Sequence, residues 1–148
     1  MNTPFVLLVD DEEPFVETMT KRLTKRNLRV IMAFSGQDAL EKLSKNRNLD
    51  VVILDVKMPG MDGIETLGEI KKAYPLIEVI MLTGHATVES AIEGMKLGAY
   101  DYLMKPCDLE QLMLKVELAT KKRRDHEDKI NDARIKAALS GHGAYRNP

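Results

Sequence analysis

The 148-residue chain has a single cysteine, Cys107, so no internal disulfide can brace it, and its three histidines form no Cys/His cluster spaced for zinc. No apolar run approaches the roughly 20 residues that a membrane span needs, and Asp10 and Asp11 interrupt the N-terminal one. The N-terminus also lacks the basic region and small-residue cleavage site of a secretion signal. These absences predict a cytoplasmic protein with no membrane contact. No GxxxxGK[ST] loop or GxGxxG turn follows the first apolar run, which removes the common nucleotide-binding readings. What remains is ordinary for a globular domain: 44% hydrophobic, 30% charged and a net charge of −1. A chain of this length buries roughly two-thirds of the surface its unfolded form exposes.

The balanced net charge hides an asymmetry. Acidic residues exceed basic ones over 1–120, and basic residues exceed acidic ones over 121–148. Asp125, Glu127, Asp128 and Asp132 interleave with that basic tail. It therefore reads as a solvated mixed-charge helix, and no direct nucleic-acid binding is expected.

Hydrophobic periodicity divides the rest into alternating elements. Strands are expected at 5–9, 28–34, 51–54, 77–82 and 100–104, the third apolar throughout and so buried on both faces. Helices are expected at 13–26, from Ser35 as N-cap, at 63–73, at 88–97 with Gly98 as the stop, and from Leu109 onward. Leu109, Leu112, Val116 and Ala119 give the last helix an inner face, which the Lys-Lys-Arg-Arg run at 121–124 ends. The tail from Ala138 is expected to fray. Five strands alternating with five helices over short loops predict an α/β, doubly wound parallel sheet with helices on both faces. No internal repeat or low-complexity segment breaks that pattern.

In such a sheet, ligands bind beyond the carboxyl ends of the strands. Those ends carry Asp10 and Asp11, then Asp55, Thr83 and Lys105. A lone Asp after a strand is usually a turn former or cap, and a lone Lys a solvated charge. Four of five ends carrying reactive groups is a different matter. Three clustered carboxylates repel one another unless a cation joins them, and an all-oxygen set suits Mg²⁺. An aspartate beside such a cation can act as a nucleophile on phosphorus. That explains why the run VVIL delivers Asp55 to the strand mouth and why Met58-Pro59-Gly60 then turns the backbone. The turn lets the Lys57 carbonyl approach the metal. Lys105 would neutralise phosphoryl oxygens, and the Thr83 hydroxyl would donate to one of them.

Order, spacing and chemistry together resemble the response-regulator receiver domain of bacterial two-component signalling, the CheY-like family. The resemblance rests on the pair Asp10-Asp11, LDVKMPGMDG at 54–63, LTGHA at 82–86 and YDYLMKP at 100–106, and covers residues 5 to about 120. It implies a flavodoxin-like fold with strand order 2-1-3-4-5, and a phosphoryl group accepted by Asp55 from a histidine kinase or histidine phosphotransfer protein. It also implies Asp11, Asp55 and the Lys57 carbonyl as direct Mg²⁺ ligands, with Asp10 acting through water, Lys105 as the phosphate contact, and a cis bond before Pro106. Thr83 and Tyr102 resemble the switch pair. On phosphorylation Thr83 moves toward the phosphoryl group, Tyr102 fills the space behind it, and the face of the fourth helix, fifth strand and fifth helix changes shape for a downstream partner.

Other positions are read from their neighbourhood. Lys57 is expected to prolong the phosphorylated state by charge pairing, His85 reads as an exposed loop residue, and His126 and His142 receive no role. Cys107 reads as a small loop residue with no lowered thiol pKa. A haloacid-dehalogenase-like phosphatase would need a second acid where Lys57 stands, and a pseudo-receiver would not keep the full acidic set. Residues 1–122 are expected to form the receiver and 123–148 a C-terminal helical extension or linker with a frayed tail. Beyond about residue 125 too little chain remains for an effector domain, so a stand-alone receiver is expected. The alternative is the receiver fragment of a larger transcriptional regulator. In that case two copies would pair through Ile130 and Ala137, a seam interrupted by Arg123 and His126.

Overall fold

The computed structural model describes residues 3–145, with side chains through residue 140, so the side chain of His142 and residues 146–148 lie outside the described residues. Elements run in the order β1 (Phe5–Val9), α1 (Glu13–Lys25), β2 (Arg29–Ala33), α2 (Gly36–Lys45), β3 (Val51–Leu54), α3 (Gly63–Ala73), β4 (Glu78–Thr83), α4 (Val88–Lys96), β5 (Asp101–Met104) and α5 (Leu109–Tyr145). All five strands pair in parallel in the order β2-β1-β3-β4-β5. This is the doubly wound arrangement that the alternating pattern predicts.

The central strands show why the sheet must be covered twice. Phe5, Leu7 and Val9 of β1 face the cluster under α2 and α3, while Val6 and Leu8 face the cluster under α1 and α5. Period-two alternation therefore feeds two cores from one apolar run. Each fully buried aliphatic side chain, such as Leu7, Leu8 or Ile53, contributes about 1.5–3 kcal/mol. On the edge, β2 is only partly covered.

Local signals set the helix starts. Ser35 Oγ accepts the Asp38 N–H, Asp62 the Glu65 N–H, and Thr87 with Ser90 forms a capping box. Gly98, at φ +103°, takes the left-handed position after α4. Gly63 opens α3 directly beneath the Asp55 carbonyl, and a Cβ there would sit 1.9 Å from that oxygen. Only a glycine fits that approach.

Helix α5 differs from expectation. It runs unbroken through 37 residues to Tyr145, past the point where fraying was expected. The basic run is not simply solvated either. Arg123 is buried and Arg124 grips buried Asp50, donating from Nε at 3.1 Å and from Nη2 at 2.9 Å. Asp50 also accepts the Phe5 N–H at 2.9 Å, and Arg124 reaches the Thr3 carbonyl at 3.1 Å. Next to it, buried Glu78 lies between Lys71 and Lys122. The charge run is thus the joint between α5 and the N-terminal ends of β1, β3 and β4. No helix among the described residues is long and apolar enough to cross a membrane.

Candidate functional site

The strand ladder sets the height of each candidate residue. Its hydrogen bonds continue one residue past the strands: Asp10 N–H to the Ala33 carbonyl, Asp55 N–H to that of Val9, and Lys105 N–H to that of Thr83. Asp10, Asp55 and Lys105 are therefore delivered at one level along the carboxyl edge. Apolar strands below force Asp10 and Asp55 into burial of 1% and 2% exposure, while Asp11 points to solvent. One carboxylate oxygen from each of Asp10, Asp11 and Asp55 lies within 4.8 Å of the others. The cis Lys105–Pro106 peptide is present.

Lys105 is the positive charge of the cluster. Its Nζ lies 2.5 Å from Asp10 Oδ2, 3.2 Å from Glu12 Oε1 and 4.0 Å from the centre of the Phe15 ring. Burial works against its charge, but Asp10, Asp55 and Glu12 together outweigh burial and hold the ammonium above its ordinary value of 10.5. Asp10 moves the other way for a carboxylate. Burial pushes it above the ordinary 3.8, Asp55 adds to the rise, and the bonds from Lys105 and the Glu12 N–H only partly offset it. Four carboxylates, those of Asp10, Asp11, Glu12 and Asp55, around the Lys105 ammonium leave the site short of positive charge. An oxygen-only, electron-rich set of this kind fits a small hard cation.

Asp55 Oδ1 accepts the Val56 N–H at 2.8 Å, which leaves the carboxylate facing the cavity of about 430 Å³ that it lines with Asp11, Lys57 and His85. Larger hollows of about 820 and 640 Å³ lie at the far end of the sheet, against the ion-paired stretch of α5, and hold none of this chemistry. Thr83, fully buried, accepts the His85 N–H on Oγ1 at 3.0 Å. His85 and Lys57 are exposed at the rim.

Tyr102 stands apart from this group. Its hydroxyl lies 2.6 Å from Ser90 Oγ in the first turn of α4. Three neighbours were not singled out from sequence: Glu12, Phe15 and Ser90. Glu12 follows the acidic pair directly, and Ser90 is legible as the third residue after the Thr87 cap. Nothing in the sequence marks Phe15 as more than a core residue of α1.

The description "response regulator receiver domain" matches residues 6–117. The chain belongs to the response regulator receiver domain family. Among curated relatives, this receiver is 38% identical over 127 residues to the transcriptional regulatory protein ZraR of Klebsiella oxytoca, covering 86% of this chain and 28% of that protein. It is 36% identical over 141 residues to a putative NtrX-like response regulator of Rickettsia felis, covering 92% and 30%. The chain thus spans less than a third of the length of these relatives. A crystal structure of a response regulator receiver domain protein from Clostridium thermocellum is 36% identical, with TM-score 0.78, covering 82% of this chain and 97% of that one. A CheY-like receiver from Methanospirillum hungatei gives TM-score 0.79 at 26% identity, covering 84% and 99%.

Proposed function

We propose that this receiver takes part in phosphorelay signalling by accepting a phosphoryl group on Asp55 from a histidine kinase or histidine phosphotransfer protein. The supporting observation is the gathering of Asp10, Asp11, Asp55 and Lys105 at one sheet edge with a deficit of positive charge. Asp10, Asp11, Asp55 and the Lys57 carbonyl are the groups that would hold Mg²⁺. When bound, the cation neutralises charge on phosphoryl oxygens. An Asp55 carboxylate oxygen bonds to phosphorus as the nitrogen–phosphorus bond of the donor imidazole breaks. Lys105, released from its contact with Asp10, pairs with a phosphoryl oxygen, and the Thr83 hydroxyl donates to another. Tyr102 then moves into the space behind Thr83.

The output surface is the face of α4, β5 and α5. Val88, Ile92, Met95, Met104, Leu114 and Leu118 are exposed there, an apolar surface suited to a downstream protein. Residues 1–122 act as the receiver and the part of α5 from residue 123 as its extension or linker, working in the cytoplasm. Exposed Lys57 at the cavity rim lengthens the phosphorylated state, and Lys57→Ala shortens it; an unchanged lifetime would contradict that role.

The deciding experiment is intact mass after incubation with acetyl phosphate, with and without Mg²⁺ and beside Asp55→Asn. One added phosphoryl group that requires both Mg²⁺ and Asp55 supports the assignment. Absence of an adduct here and with a phosphorylated histidine phosphotransfer protein refutes it. A second reading, favoured by relatives more than three times longer, makes this chain the receiver part of a transcriptional regulator. The size of the native protein in its own cell extract separates the two.

A further inference from the structure

We propose that Ser90 is a positioning residue that holds Tyr102 against α4 in the resting receiver, so that the Ser90–Tyr102 hydrogen bond opposes the switch. This rests on the assignment of Thr83 and Tyr102 as the switch pair.

The geometry around Ser90 carries the inference. Its Oγ has four polar neighbours: the Thr87 N–H at 3.1 Å, the Thr87 carbonyl at 3.1 Å, Thr87 Oγ1 at 3.0 Å and the Tyr102 hydroxyl at 2.6 Å. A hydroxyl donates once and accepts twice, so it serves three of these four at a time. The Tyr102 contact is the shortest and falls in the normal O–H···O range. One turn further along α4, Gly94 lies beneath the ring: a Cβ built there would meet Tyr102 Cδ2 at 3.6 Å. Positions 90 and 94 share one helix face, so α4 holds the ring at one residue and the hydroxyl at the other. Meanwhile the Thr83 hydroxyl accepts from the His85 N–H at 3.0 Å.

The Tyr102 ring is half-buried against the cluster under α2 and α3, and turning it further toward Thr83 costs its bond to Ser90. It also frees one of the three hydrogen-bonding sites of Ser90 Oγ for Thr87, so the cap of α4 survives the move. The contact thus lies on the path between the site and the output face. Its loss shifts the balance toward the inward orientation by about two- to tenfold, the range for one net hydrogen bond.

The test uses the full chain labelled with 3-fluorotyrosine, with the Tyr102 ¹⁹F resonance identified through Tyr102→Phe. Acetyl phosphate and Mg²⁺ are added, and intact mass confirms the phosphoryl group. Ser90→Ala is expected to move the Tyr102 resonance toward its phosphorylated position before any donor is added. It is also expected to raise the initial phosphorylation rate by about two- to tenfold. Ser90→Thr, which keeps the hydroxyl, restores both values. Thr87→Ala loses the cap but keeps the Ser90–Tyr102 bond, and leaves both unchanged. A Ser90→Ala resonance at the wild-type position, or an equal shift in Thr87→Ala, overturns the proposal while leaving the phosphoacceptor role intact. A wild-type resonance that stays put in a mass-verified phosphoprotein overturns the switch assignment and the Ser90 role together. No phosphoryl group on wild type removes the functional reading and this one with it.

Discussion

Asp50 offers the sharpest test of how α5 is joined to the sheet. Its carboxylate is 3% exposed and accepts the Phe5 N–H at 2.9 Å and two bonds from Arg124. Asp50→Ala removes every one of these. The Phe5 N–H is left in a buried setting without an acceptor, which costs about 1–3 kcal/mol. A fully buried partner charge would add about 3–5 kcal/mol. However, the Arg124 side chain is 30% exposed and keeps the Thr3 carbonyl at 3.1 Å, so water recovers much of its solvation. About 1–2 kcal/mol is the appropriate share for that arm. The expected loss is therefore about 3 kcal/mol, or a fall in Tm of about 6–12 °C for a domain of this size. Asp50→Asn retains an oxygen for the Phe5 N–H and is expected to lose about half as much. Urea unfolding followed by circular dichroism measures both. If the alanine variant loses under about 1 kcal/mol, or the two variants are equal, the buried carboxylate is not what anchors this end of the sheet.

Other consequences follow from the site and the helix. Asp10, raised above 3.8 mainly by burial, binds its proton more tightly in the folded state. That contribution to stability is complete below pH 3.8 and is lost as pH rises through the raised value. In metal-free buffer at neutral pH, Asp10→Asn is therefore expected to raise the urea midpoint, with the advantage narrowing as pH falls; a gap that widens on acidification refutes the sign. Gly63→Ala drives a Cβ to 1.9 Å from the Asp55 carbonyl, so it is expected to cost about 3 kcal/mol and to lower phosphorylation of Asp55 measured by mass. A chain ending at residue 128 keeps the Arg123–Glu127 and Arg124–Asp50 pairs and is expected to match the full chain within about 0.5 kcal/mol. One ending at residue 120 loses both, and its urea midpoint falls at least as far as that of Asp50→Ala.

The parts of the molecule written in short-range pattern were legible in the sequence. The apolar runs at 5–9 and 51–54 are strands because they serve two cores at once, and the residues that end them are the site carboxylates. Strand order was a different case: periodicity gives alternation, and the order 2-1-3-4-5 came only with the family resemblance. What escaped depends on contacts between distant positions. Arg123 and Arg124 look solvated because their partner Asp50 is 74 residues from Arg124 and precedes another strand. Lys105 reads as a phosphate contact, whereas at rest it sits on Asp10, a pairing decided by side-chain reach and not by spacing. Tyr102 is recognisable as an aromatic near the site, but its bond to Ser90 requires α4 and β5 to be side by side.

The unbroken passage of α5 beyond the ion-paired joint has a consequence for anything built onto it. At about 1.5 Å per residue, 37 residues make a rod of about 55 Å, clamped near its middle by Asp50 and Glu78. A body fused in helical continuation after residue 145 inherits a phase as well as a distance. Each residue inserted at the junction advances it about 1.5 Å and swings it roughly 100° about the rod. A reporter's response to the receiver should therefore rise and fall with linker length on a period of about 3.6 residues, as long as the inserted residues stay helical.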